Sequence, residues 1–283
     1  MPPKPRDEDL DFFGLTHQGL VRKDNQDHYL VCTLHKTARV WATSLPNPEL
    51  LEIPSQRLAS FGLVADGVGG HAGGEAASRA AAEAIASYVT HAMHCFYAAD
   101  PTDEPAFLTA LQEAAEQTHG AVLERARVSG DTNSATTLTL FLAVWPALYL
   151  LQVGDSRCYL YRDGALQQLT RDQTMAQELV EKGVLPKERA PNSPFAHVLT
   201  SSIGGSSTAP EVTRTELRLG DMLMLCTDGL TKHVPDERIR ERLRDLTSSE
   251  SAARGLVDDA LAGGGTDNVT ALVLRTIRRH AIP

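Results

Sequence analysis

The sequence predicts an α+β fold in which two mostly antiparallel sheets are flanked by pairs of helices. Its strand-like runs follow one another in adjacent groups, and its helical stretches fall in pairs between those groups. Short turns separate several neighbouring runs, so hairpins outnumber the long crossovers that a parallel sheet requires. A chain of 283 residues is long enough to bury the core of one such domain.

Runs rich in β-branched and aromatic residues, bounded by turn residues, predict the strands. A short strand followed by a turn is expected over 10–24, and the last strand over 269–276. Pro146 alone separates two of the runs, which predicts an antiparallel hairpin. The strands between the first and the last are expected over 28–34, 58–65, 134–145, 147–154, 158–161, 165–169, 211–219 and 222–226.

Apolar residues at helical spacing predict the helices. The first is rich in Ala and carries Glu75 in its first turn, where an acidic side chain interacts favourably with the helix dipole. The helices are expected over 74–94, 105–127, 173–182, 235–246 and 250–261.

Two segments interrupt this pattern. Residues 35–57 carry three prolines among mixed polar and apolar residues, which predicts a hairpin-like insertion or a long loop. Residues 185–207 are rich in Pro, Ser and Gly and predict a mobile surface flap, within a wider flap region over 172–207. We expect one domain over residues 1–283 that contains both segments.

Composition and charge argue against several classes of partner. The net charge of −9 repels a phosphate backbone, so nucleic acid is not expected to bind. The first ten residues lack the layout of a secretory signal, and no apolar run is long enough to span a bilayer. The four cysteines form no Cys-x-x-Cys pair, which predicts reduced thiols and a cytoplasmic location. They are Cys32, Cys95, Cys158 and Cys226.

Three Asp-Gly pairs each follow an apolar run, at Asp66, Asp163 and Asp228. Asp163 and Gly164 lie between two strands and predict a two-residue hairpin turn. The other two pairs do not close hairpins, because each leads into a helix. A carboxylate beside glycine at an open strand end suits a hard cation, although a turn residue explains each pair taken alone.

Two further acidic residues lie at strand boundaries. Asp27 stands at the start of a strand, and Asp267 precedes the last strand within Gly-Thr-Asp-Asn. Each could be a capping or turn residue. Together with Asp66 and Asp228 they make a set of four aspartates, which favours a metal site built from oxygen ligands. Such a site suits magnesium or manganese better than zinc.

With these motifs the sequence resembles the metal-dependent protein phosphatase family, the type 2C or PPM phosphatases, in its compact bacterial form. Five motifs appear in the family's order and together span nearly the whole chain. They cover residues 22–27, 64–78, 153–157, 225–230 and 265–270.

The resemblance implies an α-β-β-α sandwich that forms a single phosphatase catalytic domain, with two or three Mn²⁺ or Mg²⁺ ions at one edge of the paired sheets. By motif position, Asp66 bridges two cations, and Asp155 holds a weaker third one. The other implied ligands are Asp27, Asp228, Asp267 and the carbonyl oxygen of Gly67.

The resemblance also implies roles for two side chains outside the metal ligands. Arg22 matches the family's phosphate-binding arginine, and its planar guanidinium can bind two phosphate oxygens. His71 matches a histidine proposed to assist the leaving group, although a histidine in a glycine loop could equally face solvent. Gln26 departs from the family's motif, because many relatives carry Glu at this position. The difference affects only a contact made to the metal site through water.

The implied activity is hydrolysis of phosphoserine and phosphothreonine in proteins by a metal-activated water. The implied partners are phosphoprotein substrates, including a bacterial serine/threonine kinase or its targets, and we expect a monomer. Two alternatives stay open at this point. One is a catalytically silent relative that binds phosphoproteins, and the other is an enzyme for small phosphate esters or for a regulatory factor in a partner-switching pathway.

Overall fold

The fold is that of a computed structural model, which describes residues 4–38, 53–69, 72–92, 104–130 and 134–277, together with residues 40 and 47. The described residues form the strands β1 (Leu10–His17), β2 (Asp27–Ala38), β3 (Ile53–Val68), β4 (Ala135–Thr136), β5 (Leu138–Val144), β6 (Ala147–Val153), β7 (Arg157–Arg162), β8 (Ala165–Gln168), β9 (Glu211–Glu216), β10 (Met222–Cys226) and β11 (Val269–Thr276).

The strands pair into two antiparallel sheets. The first sheet has the order β1-β11-β10-β7-β8, and the second has the order β2-β3-β5-β6-β9, with β4 pairing the end of β3. Each sheet therefore contains hairpins, β7–β8 in the first and β2–β3 and β5–β6 in the second. The antiparallel arrangement predicted from the grouping of strand-like runs is confirmed.

Helices cover the outer face of each sheet. The described helices are α1 (Ala72–Ser87, continued by a π-helical turn over Tyr88–Ala92), α2 (Glu104–Ser129), α3 (Met175–Glu181), α4 (Asp228–Thr231), α5 (Asp236–Arg244) and α6 (Ser249–Ala262). Of these, α1 and α2 pack on one sheet and α5 and α6 on the other. The first predicted helix thus changes to π-helical geometry after Ser87. None of these described helices has both the length and the apolar composition needed to cross a membrane.

Three apolar layers hold the sheets and helices together. In β5, Leu140 and Leu142 pack toward α1 and α2, whereas Phe141 between them packs against the other sheet. Ile239 and Leu256 fill a third layer between the first sheet and the helices α5 and α6. Because both faces of β5 are covered, its sequence is a continuous apolar run rather than an alternating one. This is the expected α-β-β-α sandwich.

The predicted insertion over 35–57 is in part an extension of a hairpin. Strands β2 and β3 continue outward beyond the sheet, with Lys36 opposite Gln56, after a break in register between Leu34 and His35. Residues 39, 41–46 and 48–52 of the predicted insertion lie outside the described residues.

The flap region contains α3, a 3-10 turn over Lys187–Asn192 and an irregular segment. Thr174 caps α3 by accepting a hydrogen bond from the backbone of Gln177, as expected for a threonine at that position. Two isolated bridges, Thr174 with Leu199 and Thr136 with Ile203, attach the segment to the rest of the domain. The mobility expected of the flap stays a prediction.

The turn between β7 and β8 shows why only some Asp-Gly pairs close hairpins. Asp163 has φ 49° and Gly164 has φ 87°, which is the left-handed geometry that a two-residue hairpin turn requires. Arg162 and Ala165 pair directly across it. The hairpin turn predicted for Asp163 is confirmed.

Candidate metal centre

Asp27 and Asp66 come together because their strands pair side by side. Asp27 begins β2 and lies directly opposite Asp66 near the end of β3. The Asp27 side chain is buried, with Oδ2 accepting hydrogen bonds from Thr227 Oγ1 at 2.8 Å and from Thr270 Oγ1 at 2.7 Å. Among the described residues its Oδ1 has no hydrogen-bond partner. A buried carboxylate oxygen without a donor is a position suited to a cation.

The backbone of Asp66 is fixed by two threonines that lie where β4 gives way to β5. Its N–H donates to Thr137 Oγ1 at 3.0 Å. Its carbonyl oxygen accepts from Thr136 Oγ1 at 2.8 Å and from the Thr137 N–H at 2.9 Å. These bonds use the main-chain groups of Asp66 and leave its carboxylate for the site.

Gly67 lies where the backbone of β3 meets the first turn of α1. A Cβ atom at this position would come within 2.3 Å of the Gly74 carbonyl oxygen, so only glycine fits without a shift of the main chain. The Gly67 N–H donates to the Gln26 carbonyl oxygen at 3.2 Å, which ties the turn to the start of β2.

Asp228 and Asp267 approach from the other sheet and share a lysine. Asp228 begins α4 directly after β10, and Asp267 lies in the turn before β11. Lys232 Nζ is 2.7 Å from Oδ2 of each aspartate. Asp267 also pairs with Arg22, whose Nε is 2.7 Å from Oδ1 and whose terminal nitrogen donates to Oδ2 at 2.9 Å.

Asp155 and His197 complete the group. Asp155 lies in the turn between β6 and β7, and its side chain is buried. His197 belongs to the flap and places Nδ1 3.5 Å from Asp228 Oδ2. One ligand atom from each of Asp155, His197 and Asp228 lies within 4.8 Å of the others, so these three residues could hold a further cation.

The gathered carboxylates shift one another's pKa values. Burial raises the pKa of Asp27 to about 7, although hydrogen bonds from Thr270 and Thr227 act in the opposite direction. Burial and the charges of neighbouring aspartates raise the pKa of Asp66 well above its ordinary value, and burial with Asp228 does the same for Asp155. Burial would also raise the pKa of Asp228, but contacts with His197 and Lys232 outweigh it and lower the pKa. A divalent cation beside the raised carboxylates would lower their pKa values again, because it favours the charged form.

The donor chemistry of this group fits Mg²⁺ or Mn²⁺. Its buried donors are carboxylate oxygens, which hard divalent cations prefer. The unpartnered Oδ1 of Asp27 and the raised pKa values of Asp66 and Asp155 are the features that a bound cation would relieve. The residues present therefore fit the implied metal centre.

The structure brings together all but one of the residues expected at the site. His71 lies outside the described residues. Gln26 contacts the site through its backbone, since its N–H donates to Asn268 Oδ1 at 2.9 Å. Sequence reasoning missed Lys232 and His197, and the hydroxyl donors Thr227 and Thr270. The position of Lys232 one helical turn after Asp228 was a signal that could have identified it.

A two-sheet sandwich with a cluster of buried and partly buried carboxylates at the strand ends defines a metal-binding protein of the α+β class. A family model described as Protein phosphatase 2C matches residues 53–263. The chain belongs to this family.

Two relatives illustrate the similarity in sequence. The chain is 38% identical over 267 residues to the serine/threonine protein phosphatase PstP of Mycobacterium tuberculosis, which covers 93% of this chain and 44% of that protein. It is 30% identical over 221 residues to the serine/threonine phosphatase stp of Listeria innocua, which covers 75% of this chain and 82% of that protein. The chain thus spans less than half the length of the mycobacterial relative.

Solved structures show the same architecture. A crystal structure of the Mycobacterium tuberculosis phosphatase PstP/Ppp matches with a TM-score of 0.76 and 31% identity, covering 95% of this chain and 99% of that one. A structure of the PstP catalytic domain in complex with two manganese ions matches with a TM-score of 0.73, 31% identity and the same coverage. The S. agalactiae serine/threonine phosphatase, at 24% identity and a TM-score of 0.78, supports the fold alone.

Proposed function

We propose that this protein is a metal-dependent phosphatase that hydrolyses phosphoserine and phosphothreonine in other proteins. The observation that carries the proposal is the convergence of five aspartates from both sheets, one of which, Asp27, has a buried oxygen without a hydrogen-bond donor among the described residues. The names of the bacterial relatives support the activity, and the manganese complex of PstP supports the metal.

We propose Mn²⁺ or Mg²⁺ as the metal, with two ions in a pair and a third held more weakly. Asp66 would contact both ions of the pair, with Gly67 offering its carbonyl oxygen. The remaining proposed ligands are Asp27, Asp228 and Asp267 for the pair and Asp155 for the third ion. Bound at this site, the ions would supply hydroxide from water at neutral pH and offset the charge of the phosphate.

The chain's own side chains would orient the phosphate and assist proton transfer. Arg22 has 54% of its side chain exposed and is held by Asp267 through two of its nitrogens. We propose that it binds phosphate oxygens, since its guanidinium is anchored at the edge of the acidic group and is accessible. His71 is proposed to protonate the departing serine or threonine oxygen.

The flap is proposed to select the phosphoprotein. His197, which belongs to it, lies 3.5 Å from Asp228, so the segment reaches the candidate site. Exchanging residues 185–207 should then change the rate on phosphopeptides far more than the rate on a small aryl phosphate. An equal loss on both would argue against this role.

The remaining proposals concern the cellular setting. We propose that the substrates include a serine/threonine kinase or its targets, that the protein acts as a monomer, and that it is cytoplasmic. The unpaired thiols of Cys158 and Cys226, both buried, support a reducing compartment. Cys32 is also a free thiol and is partly buried.

The test is a manganese-titrated assay on a phosphothreonine peptide, with wild type compared to Asp66→Asn. Wild type should release phosphate, chelator should abolish the release, and Asp66→Asn should lose about 100-fold or more while staying folded, because the bridging carboxylate is gone. Normal turnover in Asp66→Asn would refute the assignment. Binding of the peptide without turnover in wild type would favour a silent relative, and turnover of small metabolites alone would favour the small-ester alternative.

A further inference from the structure

Positive charge is distributed unevenly over the five aspartates. Asp267 has cationic side chains on both oxygens, Arg22 on Oδ1 at 2.7 Å and Lys232 on Oδ2 at 2.7 Å. Asp228 is contacted by the same Lys232 at 2.7 Å. Two carboxylates of the site are thus already paired with ammonium or guanidinium groups.

The other three carboxylates have no cationic side chain in direct contact among the described residues. In the part of the chain that the structure describes, no lysine or arginine forms an ion pair with Asp27, Asp66 or Asp155. Asp27 and Asp155 are 4% and 8% exposed, so water offers them little compensation. One half of the site thus has carboxylates in direct contact with cationic side chains. In the other half, the charges of Lys232 and Arg157 act on Asp155, and that of Arg22 on Asp66, without a direct ion pair.

Lys232 owes its position to the helix that begins at Asp228. It lies four residues after Asp228, one helical turn away, and the chain turns back so that Asp267 meets the same ammonium. Its side chain is 21% exposed and lies among partly buried acids. At 2.7 Å from Oδ2 of both carboxylates, the ammonium contacts oxygens that a cation shared by Asp228 and Asp267 would use.

We propose that Lys232 is a built-in competitor for one of the two cations, so that the pair of metal sites fills unequally. The first cation binds at the half without a direct ion pair, around Asp27 and Asp66. The second binds through Asp228 and Asp267 only after the ammonium leaves them, which weakens its binding. The flexible four-carbon stem of lysine permits this movement.

This inference rests on the proposed function, because it assumes that the aspartates bind a metal pair. It differs from a purely structural role, in which Lys232 would hold α4 against the turn before β11 whether or not metal is present. A structural role predicts that removing the ammonium weakens the site or leaves it unchanged. Competition predicts that the weaker metal site becomes tighter.

The experiment is a calorimetric Mn²⁺ titration of the full chain, without substrate, for wild type and Lys232→Met. Wild type should show one tighter and one weaker site in the pair. In Lys232→Met the weaker site should tighten by about tenfold or more, because a competing unit charge beside two carboxylates is removed, and the tighter site should change little. Lys182→Met is the matched control, because Lys182 forms the same four-residue pair with Glu178 away from the site.

Two further variants locate the effect. Lys232→Arg keeps the positive charge, so the weaker metal site should stay weak. Lys232→Gln removes the charge and should behave like Lys232→Met. It provides a second charge-removing variant in case Lys232→Met folds poorly. Combining Lys232→Met with Asp267→Asn should abolish the gain, because the released site then lacks one of its carboxylates.

A second readout is the melting temperature without any turnover. In chelator, Lys232→Met should melt below wild type, since Asp228 loses its counter-charge, and added Mn²⁺ should raise its melting temperature more than that of wild type. Unchanged or weaker Mn²⁺ binding in both Lys232→Met and Lys232→Gln would overturn the proposal while leaving the phosphatase assignment intact. Failure of wild type to bind Mn²⁺ at all would overturn both.

Discussion

Asp27 and Asp66 lie directly opposite each other on β2 and β3, so a single strand register brings two carboxylates side by side. Like charges in such a position repel each other, and burial removes the water that would screen them. The arrangement is unfavourable for an isolated chain and favourable for one that binds a divalent cation. A slip of one residue in this register would separate the two side chains onto opposite faces of the sheet.

The first prediction concerns stability without metal. In chelator, Asp66→Asn should melt above wild type, because a neutral amide replaces a buried carboxylate whose pKa is raised by burial and by neighbouring aspartates. A gain of about 1 kcal/mol corresponds to roughly 2–4 °C in a chain of this size. Thermal unfolding in chelator measures the stability without metal, and the same measurement in Mn²⁺ gives the stabilisation by the metal. Mn²⁺ should stabilise wild type but not the variant.

Asp163→Asn provides the control for this prediction. It changes the same Asp-Gly dipeptide in the hairpin turn between β7 and β8, where φ is 49° and asparagine is tolerated. It should leave the response to Mn²⁺ unchanged. A lower melting temperature for Asp66→Asn than for wild type in chelator would contradict the charge argument.

The second prediction concerns the hydroxyl donors behind Asp27. Thr270→Val keeps the shape of the side chain but removes the donor that lies 2.7 Å from Asp27 Oδ2. We expect Mn²⁺ affinity to fall by about 10–100-fold, as is typical for partners that orient metal ligands. The free energy of unfolding should fall by about 1–3 kcal/mol, because a buried acceptor loses one of its two hydroxyl donors.

Calorimetry and chemical denaturation measure these two quantities. Thr213→Val on β9, where the side chain is exposed, is the matched substitution and should change neither. Wild-type affinity in Thr270→Val would show that the hydroxyl does not position Asp27.

The third prediction concerns the close approach of two main-chain segments at Gly67. In Gly67→Ala the new Cβ would meet the Gly74 carbonyl oxygen at 2.3 Å, so β3 and the start of α1 must separate. We expect a loss of about 1–3 kcal/mol in stability and weaker Mn²⁺ binding, because the turn beside Asp66 shifts.

Gly120→Ala is the opposite case within the same chain. Gly120 lies in α2, and no described atom outside its own helix backbone lies within 4 Å of the position that an alanine methyl group would take. Alanine should therefore stabilise that helix by about 0.5–1 kcal/mol. Denaturation of the two variants gives the comparison. A neutral effect of Gly67→Ala would mean that the two segments can separate without affecting the site.

The fourth prediction concerns the flap histidine. His197→Ala should remove binding of the weakest Mn²⁺ ion, because one of the three ligand atoms grouped with Asp155 and Asp228 is lost. Binding of the pair should persist. Electron paramagnetic resonance of free Mn²⁺ counts the bound ions, and His91→Ala, at an exposed position after α1, is the control. An unchanged count in His197→Ala would exclude this ligand.

The sequence predicted the fold well because its elements carry strong local signals. The hairpin turn at Asp163 and Gly164 follows from two residues whose conformational preferences match it. The ends of β3 were less predictable, since the strand runs from Ile53 to Val68 and includes Pro54, which the local pattern assigned to a hairpin-like insertion or a long loop. The length of that strand is set by its pairing with β2, which the local pattern does not contain.

The aspartates of the candidate site could be predicted from the sequence, whereas its lysine and histidine were less predictable. The aspartates stand at strand boundaries within recognisable motifs, whereas Lys232 contacts Asp267, which lies 35 positions later in the chain. His197 lies in an irregular segment without periodicity, so nothing local places it beside Asp228. Contacts of this kind are decided by how the helices and the flap pack, and the role of His71 stays a prediction.

The hydroxyl contacts of Asp27 have a mechanical consequence. Asp27 belongs to one sheet, whereas Thr227 and Thr270, which donate to it, belong to the end of the other. The hydrogen bonds of this carboxylate therefore connect the two sheets of the sandwich. Any substitution that lets one sheet shift relative to the other, even far from the site, would displace the carboxylate oxygens of Asp27.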